Sequence, residues 1–68
     1  MTTEQLINLD NQTLVEAFHI LFGVDFKRTF PDNYKVAEMR SIFNDGTQPC
    51  VPFTNWVKCI EFLSSKLS

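Results

Sequence analysis

Glycine, proline, cysteine and histidine are all scarce in this 68-residue chain: two, three, two and one residues respectively. Each shortage removes a class of function. Isolated Gly23 and Gly46 cannot build the Gly-rich backbone cradle of a phosphate-binding loop. Cys50 and Cys59 do not make the disulfide framework that staples small secreted domains. A bridge between them would close only a short loop, so two reduced, partly buried thiols are expected. Together with His19 they lack a fourth ligand and any recognisable metal spacing. His19 is the sole histidine and has no nucleophile beside it. Glu16, one turn back, offers only a surface Glu–His pair on a solvated helix face. No cofactor, metal or catalytic residue is expected, and an enzyme is the least favoured class.

A dominant charge is missing too. Six basic residues against eight acidic ones give a net charge of −2. That rules out the strong positive field of a general nucleic-acid binder, and equally an acidic imitation of a DNA phosphate path. Long hydrophobic runs are absent, since Ile20–Leu21–Phe22 is the longest. Met1–Thr2–Thr3–Glu4 has no basic residue to open a signal peptide. The expectation is a protein of the cytoplasm or another reducing intracellular compartment, with no membrane partner.

Aromatic residues, by contrast, are plentiful: seven Phe, one Tyr and one Trp. A domain this short buries only roughly 60% of the surface of its unfolded chain. Either one core absorbs these rings or some are left for a partner.

Hydrophobic spacing predicts an all-α fold. It is a small three-helix single domain over residues 1–68, with a short N-terminal helical turn and a Pro-rich connector before the last helix. The helices are expected at about 10–22, 30–44 and 54–66. Asp10 caps the first, and Leu14, Ala17, Phe18 and Leu21 form a stripe of about 160° that Gly23 terminates. The second has Thr29 or Asp32 as competing caps, with Val36, Met39 and Phe43 on one side. Arg40 intrudes at the edge of that stripe and Tyr34 lies nearly opposite. Phe53, Trp56, Val57, Ile60, Leu63 and Leu67, widened by Cys59 and Phe62, give the last helix an apolar arc of about 220°. So wide an arc predicts a central helix touching both others. Phe26 and Phe30, between helices, are expected to plug the bundle end.

Residues left over from that core are the functional candidates. Tyr34, Phe62 and Ile20 fall off or at the edge of their stripes, as apolar anchors would; Lys27, Arg28 and Arg40 supply rim charges. This pattern predicts a small helical protein-interaction module: an adaptor, regulator or steric inhibitor occupying another protein or a second copy of itself as a homodimer. Its size is compatible with a phage- or virus-encoded inhibitor. One alternative is a nucleic-acid-binding protein using the basic and aromatic 26–30 segment Phe26–Lys27–Arg28–Thr29–Phe30. Another is a structural subunit of a homo-oligomer or larger assembly.

Overall fold

The caps explain where the chain turns. In the structure, a computed structural model that describes residues 2–23, 30–46 and 49–67, four helices are present: α1 Thr3–Ile7, α2 Asn11–Phe22, α3 Asp32–Asp45 and α4 Phe53–Leu67. Among the described residues the regular structure is all helix, with no strand, as the spacing predicts. Thr2 and Gln5 close a reciprocal capping box around α1, satisfying two orphan donors of a very short helix. The Asp10 carboxylate accepts from the Thr13 hydroxyl and the Thr13 N–H, which starts α2 and holds the Asp10 pKa below its ordinary 3.8. Gly23 ends α2 at φ 97°, a conformation that L side chains rarely adopt.

α3 corrects the capping expectation. Pro31 occupies the cap position, no side chain caps the helix, and Asp32 is its first residue. The reason is local. Pro31 has no N–H to lose, its fixed φ suits a helix entry, and its carbonyl accepts from the Lys35 N–H at 3.2 Å. Asp32 instead faces the Lys35 ammonium at 3.6 Å, while Thr29 lies outside the described residues. Gly46 closes α3 in the left-handed region at φ 70°, donating to Ile42 O.

Cross-helix hydrogen bonds fix the arrangement. Asn55 Nδ2 donates to Leu21 O at 3.1 Å, and Cys59 Sγ donates to Ala17 O at 3.7 Å. Residue numbers rise along α4 as they fall along α2, so the two run antiparallel. Lys35 beside His19 and Arg40 beside Asn11 show the same for α3. α3 and α4 therefore both begin at the end where α2 stops. α2 packs against both, and α1 lies on α3.

The central helix is α2, which corrects the expectation for the last helix. Its Leu14, Ala17, Phe18 and Leu21 meet Val36, Met39, Ile42 and Phe43 of α3 on one side. On the other they meet Cys59 and Leu63, the only residues that α4 buries. Trp56 and Phe62 of α4 pack against the same core from its edge, and α3 is covered by α1 as well as by α2. At the bundle end Phe18 meets Phe22 with ring centroids 4.6 Å apart and Phe30 edge-on at 6.3 Å. Phe30 thus closes the bundle end as expected; Phe26 lies outside the described residues. No described helix is long and apolar enough to cross a membrane.

Candidate functional site

Of the three large hydrophobic residues exposed among the described ones, α4 carries two. Phe53 is 79% exposed and Val57 40%, with Trp56 and Ile60 half-buried beside them. These four recur at the i, i+3, i+4, i+7 spacing of a single helix face. With Glu61 on one flank they line an open groove of about 540 Å³. Cys59 and Leu63 lie on the adjoining arc and face α2. The 220° stripe is thus graded: Cys59 and Leu63 are buried, Trp56 and Phe62 are half-buried against the core, and Phe53 and Val57 are exposed.

Phe53 is a correction, since its place in the stripe predicts an interior position; Trp56 is half-buried and packs against the core, in line with that prediction. A single neighbouring helix cannot cover so wide an arc. Phe53 sits in the first turn, beyond the reach of the core. Sequence reasoning therefore missed the most exposed ring among the described residues, although the signal was present in the excessive width of the stripe.

The predicted anchors are scattered. Tyr34 is 43% exposed and stacks on Phe30 with centroids 4.5 Å apart and planes at 17°. Both rings sit at the end of the bundle where α4 begins. Phe62 is half-buried against the core, with the Lys66 ammonium 5.5 Å from its ring centroid, and is better housed than its stripe-edge position suggests. Ile20 is also half-buried and packed on the core. Lys27 and Arg28 lie outside the described residues, as does most of the 26–30 segment.

Arg40 is a clasp within the fold. Its Nε donates to Ile7 O at 3.0 Å, and one terminal nitrogen donates to Asn11 Oδ1 at 3.1 Å and toward Leu9 O at 3.5 Å. A planar guanidinium can meet several acceptors at once, which ties the α1–α2 corner to α3. The same side chain, with Ile7, Ser41, Asn44 and Asp45, lines a second and more polar groove of about 430 Å³.

His19 also departs from expectation. Instead of pairing with Glu16 on a solvated face, it is half-buried, with Nε2 2.8 Å from the Nζ of Lys35. The two nitrogens are within hydrogen-bond distance. An amine beside an imidazole is in form a nucleophile and a base, but Lys35 is 1% exposed and offers a substrate no approach. The pair joins α2 to α3.

Cys59 and Cys50 are both free thiols, the first buried and the second exposed rather than partly buried. Burial pushes the Cys59 thiol up to about 11, so it is an inert core group. Among the described residues, no three His, Cys, Asp or Glu side chains gather as a metal site. The chain matches no protein family, and neither a curated protein nor a solved structure is significantly similar to it.

Proposed function

We propose that this chain is a small helical protein-interaction module that acts by burying the outer face of α4 against another polypeptide. The observation that carries this reading is the 79% exposure of Phe53 on an otherwise apolar helix face. A contiguous apolar face of this kind marks a contact surface more often than a single exposed ring does. Phe53 and Trp56 are aromatic anchors of the kind that dominate interface energetics, and Val57 and Ile60 supply shape around them. Tyr34, at the same end of the bundle, is a third anchor. Lys27 and Arg28 follow α2 in the chain and are assigned rim contacts. The action is steric, as in an adaptor, regulator or inhibitor.

Immobilised chain incubated with extract from its native source tests the reading. Bound polypeptides should be retained by the native chain and lost with Phe53→Asp. Equal retention by both would overturn the assignment of α4. Asp is favourable at the first position of a helix, because its charge complements the helix dipole, so this variant leaves the fold intact.

A further inference from the structure

We propose that the contact between His19 and Lys35 is an acid-sensitive latch, which holds α3 on α2 at neutral pH and is broken when His19 takes up a proton. Nε2 of His19 lies 2.8 Å from Nζ of Lys35. A hydrogen bond between two nitrogens that close requires one of them to be an unprotonated acceptor. Imidazole is the weaker base by about four units in model peptides, so the ring is the partner that gives up its proton. A protonated ring would set two cations against each other with no acceptor between them.

The surroundings give a second positive charge little relief. Lys35 is buried and His19 half-buried, so water screens the pair poorly. The His19 ring stands edge-on to Phe18, with centroids 6.4 Å apart. On α3, Asp32 faces the ammonium at 3.6 Å, but its side chain is 80% exposed and its attraction is correspondingly weak. The next acidic residues along the two helices are Glu16, which is exposed, and Glu38, which is partly so. α4 meets this stretch of α2 with uncharged groups, Asn55 on Leu21 O and Cys59 on Ala17 O. α1 reaches α3 at Arg40, toward the start of α2, and its Glu4 is exposed. Asp25, Lys27 and Arg28, between α2 and α3 in the chain, lie outside the described residues.

Unfolding releases the ring to water, where it takes up a proton near its ordinary value of about 6.5. The folded chain resists that proton. Below about pH 6.5 the unfolded state therefore binds one proton more, and stability falls as pH falls. One proton of difference lowers the folded-to-unfolded ratio about tenfold per pH unit, so the limit for this group between pH 7.5 and pH 5 is about thirtyfold. His19 is the sole histidine, and no other side-chain type ordinarily changes charge in that window above about pH 5. A domain this small holds little stability in reserve, which makes one such group enough to loosen α3 from α2 in mild acid.

A single histidine makes the test direct. Its ring protons, followed by proton NMR in the native chain, should titrate well below about 6.5. In Lys35→Met, which removes the cation and keeps an apolar stem, they should move back toward that value. Urea midpoints from pH 7.5 to pH 5 give the linked stability. Over that range the native chain should lose at least about tenfold more of its folded-to-unfolded ratio than His19→Gln, whose side-chain oxygen can accept from Lys35 but cannot titrate. Carboxylates such as Asp10 titrate in both proteins and cancel in the difference. A ring that titrates at or above about 6.5 in the native chain, or equal acid losses in the native chain and His19→Gln, would overturn the latch. If either variant fails to fold at neutral pH, the titration of the native chain decides alone.

Discussion

α2 and α4 are made of similar material and put to different uses. α2 buries Thr13, Leu14, Ala17, Phe18 and Leu21 out of twelve residues, whereas α4 buries Cys59 and Leu63 out of fifteen. The longer helix with the wider apolar stripe contributes less to the core. The difference lies in their neighbours: α2 is covered by α3 on one side and α4 on the other, while α4 has α2 as its principal neighbour. Stripe width measures how much a helix could bury; what buries it is decided by the rest of the chain, or by another chain.

The comparison breaks first at Phe18. It is 2% exposed and touches both Phe22 and Phe30. Phe18→Ala should cost about 3–5 kcal/mol, from lost transfer energy and the cavity left behind. A core this small supplies about 3–5 kcal/mol in total, so the variant should be largely unfolded at 25 °C by far-UV circular dichroism. A cooperative transition displaced by less than about 1 kcal/mol would mean that α2 is not the organising helix.

Arg40 comes next, because it holds the α2–α3 side together at the α1 corner. Arg40→Ala removes charge-assisted bonds to Ile7 O and Asn11 Oδ1. Lost hydrogen bonds to charged groups cost about 1.5–3 kcal/mol, and partial exposure brings the expected loss to about 1–2 kcal/mol. Amide exchange should quicken in α1 and leave α4 unchanged. Arg40→Lys should not restore protection, since one ammonium cannot reproduce the fork that spans both acceptors. Uniform acceleration in every helix would show that α4 is coupled to this corner after all.

Local grammar made most of the fold legible in the sequence. Asp10 before Leu14, Gly23 and Gly46 after their stripes, and Pro52 before Phe53 mark boundaries to within one or two residues, because caps and stops act over a single turn. The neighbours of each helix were not legible. The spacing of Phe53, Trp56 and Ile60 with Cys59 and Leu63 shows an apolar arc, but not which part of it meets α2. His19 and Lys35 are separated by sixteen positions, and no spacing rule anticipates their meeting. Arg40 was visible as an intruder on its stripe; that its acceptors would be the carbonyls of Ile7 and Leu9 depends on how α1 docks.

Alkaline pH sharpens the comparison more gently. Cys59 is one of only two residues that α4 buries, and burial raises its pKa from 9.0 to about 11. Between those values the unfolded chain releases a proton that the folded chain keeps. The unfolded state then binds fewer protons, so stability falls as pH rises through this window and is unaffected well below it. Urea midpoints at pH 8 and at about pH 10 should differ more for the native chain than for Cys59→Ala, which lacks the titrating thiol. Equal differences would mean that the thiol is not held between α4 and Ala17.

The smallest expected effect is at Phe53, and it isolates the role of the outer face. Phe53→Ala removes more apolar surface than most core truncations, yet with 79% of the residue already in water there is little burial to lose. At dilutions where the chain is monomeric, the stability change should stay within about 0.5 kcal/mol, the usual range for surface positions. Alanine's higher helix propensity offsets part of even that. Urea denaturation of both proteins at high dilution reads this difference. A large loss would make Phe53 a core residue of the fold and remove it from the outer face.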